Sequence, residues 1–170
     1  LGDTLTTMNK AWQRLIKRAD FKPVLGWIRT TEVTKGKDGS AHPHFHALVM
    51  VPPSWFTRDY VKHSRWVDLW RDCLRVHYSP NVDVRTVKPK IPKGEQAPGI
   101  QGTIEALQGA VAETLKYSTN PSDMTDDGDA DGWFLELTRQ TQKRRFVATG
   151  GALKNVRKVE EETDKDMGLT

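Results

Sequence analysis

His42-Pro43-His44-Phe45-His46, running directly into Ala47-Leu48-Val49-Met50-Val51, sets three imidazoles at spacing two at the head of an apolar run. Side chains alternate faces along a strand, so the three histidines share one face and Phe45 takes the other. Neighbouring imidazoles then stand roughly 6.5–7 Å apart, close enough to converge on one ion. Three readings fit: a hydrogen-bonded polar cluster, a structural zinc site or a catalytic metal site. Structural zinc recruits cysteine or a fourth protein ligand, and the single cysteine, Cys73, lies far along the chain in an amphipathic stretch. Two imidazoles and one carboxylate, with positions left open, suit instead a divalent ion that polarises a substrate oxygen. Glu32 is the candidate carboxylate. The spacing leaves open which pair of imidazoles binds, and the third could orient substrate.

A second constellation is Glu113-Thr114-Leu115-Lys116-Tyr117, at the end of the most helical segment. Residues four apart stand about 40° apart around a helix, so Glu113 and Tyr117 share a face. Ile104, Leu107, Val111 and Leu115 form the apolar stripe elsewhere on it. A tyrosine hydroxyl assisted by a metal or base can be a covalent nucleophile, and a carboxylate one turn away can activate water. Lys116 could stabilise phenolate or phosphate. Alternatively Tyr117 is a helix-end aromatic packed against a sheet.

The elements that must position these groups follow from periodicity. Residues 3–18 read as a helix, with Leu5, Met8, Trp12, Leu15 and Ile16 at helical spacing and Asp3 or Thr4 as cap. Residues 24–34 and 42–51 read as strands joined by the turn 35–40, which makes a hairpin. If that turn centres near Lys37-Asp38, Glu32 falls opposite or diagonal to His44 on the histidine face. Residues 57–74 read as a second helix with Val61, Trp66, Leu69, Trp70, Cys73 and Leu74 inward, the tryptophans as core. Residues 81–88 alternate weakly as a third strand, and 89–102 form a Pro/Gly-rich loop. A helix is expected over 103–117, a short one over 133–142, a strand over 144–149, and a turn at Gly150-Gly151. Asp127-Gly128-Asp129-Ala130-Asp131-Gly132 matches the opening of a calcium loop, but its twelfth position is Thr138, so an acidic loop is the better reading.

The chain of 170 residues, 36% hydrophobic and 28% charged, can bury one core, and no apolar run nears the ~20 residues of a membrane span. One cysteine excludes an intramolecular disulfide framework, and no signal peptide is evident, so a cytoplasmic location is expected. Charge is segregated. Arg85, Lys88, Lys90 and Lys93 form one acid-free run, and seven bases with no acid occupy 137–159, including Arg139, Lys143, Arg144 and Arg145. Such runs suit phosphate contacts or are ordinary solvated faces. Residues 123–136 carry six acids and no base, which should keep that segment off a nucleic-acid path.

Taken together, Glu32, His42 to Val51, Glu113-x-x-Lys116-Tyr117 and Pro121-Ser122-Asp123 closely resemble the plasmid rolling-circle replication initiator (Rep) family of HUH endonucleases, over roughly residues 5–154. The resemblance implies an α+β fold, a central antiparallel sheet of four to five strands with packed helices, ferredoxin- or RRM-like. Residues 1–159 would be the nicking domain and 160–170 a polar tail. It implies that His44 and His46, with Glu32 as third ligand, hold Mg²⁺ or Mn²⁺, with His42 a further candidate. It makes Tyr117 the nucleophile that nicks single-stranded or cruciform plasmid origin DNA, leaving a 5′-phosphotyrosine and a 3′-OH primer, and Glu113 the group that activates water. Arg85, Lys88, Lys90, Lys93, Arg139, Lys143, Arg144 and Arg145 would hold the DNA, and a host helicase and polymerase would be partners. Two departures stand out. Asn120 occupies the position where the family commonly has a lysine, and the family's first strand, with its Thr-Leu-Thr-like motif, is not evident. From the residues alone, rival functions are a non-catalytic nucleic-acid-binding module and a His-x-His hydrolase of small substrates.

Overall fold

The computed structural model describes residues 1–87, 108–112, 114, 130–142 and 145–154. Helix α1 spans Gly2–Leu15 and buries Leu5, Met8, Ala11, Trp12 and Leu15, the stripe its periodicity requires. It stops three residues short of the expected end, where Lys17 and Arg18 close the last turns onto Arg14 and Leu15 carbonyls. A 3₁₀ turn, Ala19–Phe21, drops the Phe21 ring edge-on against Trp12, centroids 6.1 Å apart. Strands β1 (Gly26–Lys35) and β2 (Ala41–Met50) then pair antiparallel along their full length. The tip is closed by Gly36 and Ser40, with Gly39 at φ +78°, a conformation that costs a glycine little.

The expected helix over 57–74 is two pieces. A wide helical turn covers Trp55–Asp59, Tyr60 leaves it with ψ 121°, and α2 runs only from His63 to Leu74. Packing accompanies the break: the Tyr60 ring sits edge-on to the buried Trp55 at 5.1 Å, and Val61 is buried as the sequence predicts. Leu69 and the free Cys73 of α2 are almost fully buried, and Trp66 and Trp70 lie against the core as expected. Arg14 of α1 donates to the Cys73 carbonyl at 2.5 Å, and Arg65 grips Asp20 through two bonds of 2.9 and 3.0 Å. That grip, chiefly the hydrogen bond from Arg65, holds the Asp20 carboxyl below its usual range.

The expected third strand does not form over its described residues. Residues 81–87 are irregular and mostly exposed, and the Val82 carbonyl accepts from His63 Nε2 at 2.7 Å instead of from a neighbouring strand. Three valines, among them Val84 and Val87 about half exposed, bury too little to hold a sheet edge. The acidic segment is outside the described residues until Ala130, where helix α3 (Ala130–Thr141) begins, three residues earlier than the sequence suggests. Strand β3, Val147–Gly151, follows. Gly150-Gly151, expected as a turn, ends that strand, paired with Trp27 and Gly26 of β1, and the Trp27 indole lies where a Cβ on Gly150 would stand; the turn comes at 152–154.

The described residues therefore give an α+β fold on an antiparallel three-stranded sheet of order β2-β1-β3, fewer strands than the four or five expected. One sheet face meets α1 and α2 through Trp12, Trp27, Phe45, Val49 and Trp70, with Trp12 and Trp27 centroids 5.0 Å apart. Fully burying a side chain of this size is worth roughly 1.5–3 kcal/mol, and this layer fixes the sheet. The other face carries Ile28, Thr30, Glu32 and the histidines. The expected 103–117 helix is present at residues 108–112 and 114. Among the described residues no helix is long and apolar enough to cross a membrane.

Candidate active site

The hairpin register sets Glu32 directly across from His44, Thr30 from His46 and Thr34 from His42. The parity argument holds: Phe45 turns to the core, 6.3 Å from Trp12 and 6.0 Å from Trp70 between ring centroids, and the histidines turn the other way. The closest pair is diagonal. His46 Nε2 lies 2.8 Å from Glu32 Oε2, both half-buried. His44, across from Glu32 and exposed, has Nε2 3.4 Å from Thr34 Oγ1. His42 Nε2 is 2.7 Å from Ser40 Oγ, which in turn donates to Asp38 at the hairpin tip. Glu32 and His46 are thus together, His44 is adjacent, and His42 is tied elsewhere.

Among the described residues no three of His, Cys, Asp and Glu converge on one point. The donor set nevertheless fits a hard divalent ion in part. Adjacent ligands of an octahedral Mg²⁺ at ~2.0–2.1 Å stand ~2.9 Å apart, and the Glu32 and His46 donor atoms are 2.8 Å apart. His44, directly across from Glu32 in the register, makes only a long, exposed contact with Thr34. The carboxylate suits Mg²⁺ or Mn²⁺, whereas imidazole is the softer donor of the set.

Glu113, Lys116 and Tyr117 lie outside the described residues, as do Lys88, Lys90, Lys93, Lys143 and Arg144. Thr114 is described. Its carbonyl accepts from Thr30 Oγ1 at 2.8 Å, and its own hydroxyl donates back to the Ala110 carbonyl at 2.8 Å. Thr30 is fully buried on the face shared with His46. Thr114, between Glu113 and Tyr117 in sequence, is therefore fastened to the sheet face that carries the Glu32–His46 pair.

Of the basic residues expected to meet phosphate, Arg85 is highly exposed and pairs with Asp83 at 2.8 Å. Arg139 is held by Glu136 through bonds of 2.9 and 2.7 Å, which raise its pKa and press the Glu136 carboxyl down to about 2. The acidic and basic runs thus meet across one turn of α3. Arg145 is exposed.

Sequence reasoning missed Arg29. It is 3% exposed, on the core face opposite the histidines, with its guanidinium 4.0 Å from the Phe45 ring centroid and 5.9 Å from that of Trp12. Nη1 donates to Asn9 Oδ1 at 2.6 Å, while Nε is buried with no hydrogen-bond partner. Burial pushes its pKa down to about 10. The signal was a base at an inward-facing position of a strand, two residues from Trp27.

A family model described as "Replication protein" matches residues 1–170. The chain belongs to the replication protein (Rep) family. A "Replication protein" of Staphylococcus aureus is 32% identical over 164 residues, covering 93% of this chain and 66% of the relative. A "Protein rep" of Streptococcus pneumoniae is 32% identical over 163 residues, 93% of this chain and 46% of the relative. One from Lentilactobacillus hilgardii is 30% identical over 174 residues, 99% and 52% respectively. This Rep chain thus spans about half to two thirds of the length of these relatives. No solved structure matches it significantly.

Proposed function

We propose that this Rep chain initiates plasmid rolling-circle replication by strand-specific, metal-dependent nicking and joining of single-stranded origin DNA. The observation that carries the reading is the half-buried Glu32–His46 pair on the sheet face to which the Thr114 carbonyl is bonded. Tyr117 follows Thr114 by three residues, and three peptide units reach at most ~11 Å. That reach supports reading Tyr117 as the nucleophile that would act at the Glu32–His46 face.

Glu32, His46 and His44 would hold the ion, and Mg²⁺ or Mn²⁺ bound there would polarise the scissile phosphate. Tyr117 Oη attacks phosphorus as its proton passes to solvent. The bond to the 3′ oxygen breaks, and that oxygen takes up a proton to become the 3′-OH. The 5′ phosphate stays on Tyr117, so the phosphodiester's energy is kept and joining is the same step reversed. Lys116 offsets phenolate charge, and Glu113 removes a proton from the water that ends the cycle. Arg85, Arg139 and Arg145, with Lys88, Lys90, Lys93, Lys143 and Arg144, steer the strand electrostatically without reading bases. The free 3′-OH serves a host polymerase behind a helicase, and cruciform extrusion would supply the single strand.

The test is a labelled set of single-stranded oligonucleotides tiling the plasmid origin, incubated with the protein and Mn²⁺ and run on denaturing gels. A covalent adduct is expected that disappears on chelation and in Tyr117→Phe. Binding without adduct would mark a non-catalytic module; an adduct surviving Tyr117→Phe would remove Tyr117 from the chemistry.

A further inference from the structure

We propose that Thr30 is a positioning residue for the nicking reaction, its hydroxyl fixing the chain at Thr114, three residues before Tyr117 in sequence, to the sheet. The inference rests on the proposed function and extends it to a residue that touches neither ion nor DNA. Thr30 is fully buried, and its Oγ1 donates to the Thr114 carbonyl at 2.8 Å, across 84 positions of sequence. In the same strand pair it stands directly across from His46, and Glu32 is two residues further along β1. One hydroxyl therefore ties Thr114 to the strand that carries Glu32, one cross-strand step from the His46 imidazole.

The bond is specific in a way that apolar packing is not. The Thr114 hydroxyl is directed back along its own helix to the Ala110 carbonyl, so the contact with the sheet is made by main chain, at a defined height and angle. A stripe of aliphatic side chains tolerates sliding, whereas a buried hydrogen bond loses most of its strength within a fraction of an ångström or a few tens of degrees. A slip of one residue along an α-helix is a 1.5 Å shift and a 100° rotation. A nucleophile displaced by about 1 Å can lose about 100-fold in rate.

The experiment compares the full chain with Thr30→Val, Thr30→Ala and Thr30→Ser in single-turnover adduct formation with origin oligonucleotide and Mn²⁺. Mn²⁺ affinity by calorimetry and oligonucleotide affinity by fluorescence anisotropy are measured in parallel. Val keeps the shape and removes the donor, Ala removes both, and Ser keeps the donor and removes the methyl. The expected result is adduct formation slowed about 10- to 100-fold in Val and Ala, with both affinities within about threefold of the parent, and a Ser rate within about threefold. The Ser and Ala pair decides the matter even if Val does not fold. Equal loss in Ser and Ala, a full rate in Ala, or loss of Mn²⁺ affinity in step with rate would overturn the role. A parent adduct lost in Tyr117→Phe but unchanged in the Thr30 variants refutes only Thr30; no parent adduct at all refutes the nicking reading itself.

Discussion

Arg29→Met should leave stability nearly unchanged, although it alters one of the most buried charged groups in the described structure. Desolvation pushes the Arg29 pKa well below the usual guanidinium range, to about 10. At about 1.36 kcal/mol per unit, that shift puts the penalty for keeping the guanidinium charged at about 3 kcal/mol. Against it stand the 2.6 Å bond to Asn9, about 1.5–3 kcal/mol for a charged donor, and the stacking on Phe45, about 1–2 kcal/mol when desolvated. The terms nearly cancel. A flexible apolar side chain of similar length then changes stability by no more than about 1 kcal/mol, as when buried charges give way to well-packed apolar groups. Asn9→Leu, by contrast, keeps the buried cation and takes away its hydrogen bond, and should cost about 1.5–3 kcal/mol. The pH dependence has a fixed sign. A base with a depressed folded pKa binds fewer protons folded than unfolded between about pH 10 and its higher unfolded pKa, so its penalty is complete below 10 and relieved above. Urea unfolding at pH 7, followed by tryptophan fluorescence with slopes compared, measures both variants. A loss above about 3 kcal/mol in Arg29→Met would show the cation to be a net stabiliser and refute the balance.

The geometry makes two further demands. His46→Ala should weaken Mn²⁺ binding by at least ~100-fold and His42→Ala by less than about threefold, since His46 faces Glu32 at 2.8 Å while His42 is bonded to Ser40; calorimetry giving equal losses would contradict this assignment. Gly150→Ala should destabilise the chain by about 1–3 kcal/mol because its methyl would enter the Trp27 indole, and an unchanged urea midpoint would show that Trp27 moves aside freely.

Much of the site was legible along the chain because strand alternation is a local rule. Once the turn is placed, the parity of His42, His44 and His46 against Thr30, Glu32 and Thr34 follows from the two-residue period, and the register matches it residue by residue. The α1 stripe and the inward tryptophans of α2 were legible for the same reason, since a 3.6-residue period names its own buried face. Where packing overrode propensity the sequence misled. The break at Tyr60 goes with its packing on Trp55, the irregular course of 81–87 with the lack of apolar area for a sheet edge, and the strand at Gly150-Gly151 with pairing to β1 more than a hundred residues away.

The sequence by itself determined which residue types share a face: three imidazoles with a carboxylate on one side of a hairpin, Phe45 on the other. Only the tertiary structure decided that Glu32 meets His46 diagonally, that Ser40 draws His42 aside, and that Arg29 lies beneath Phe45. It also decided that Thr30 holds the chain at Thr114. The division is physical: periodicity assigns a side chain to a face, whereas the atom it touches depends on rotamers and on elements brought in from 84 residues away.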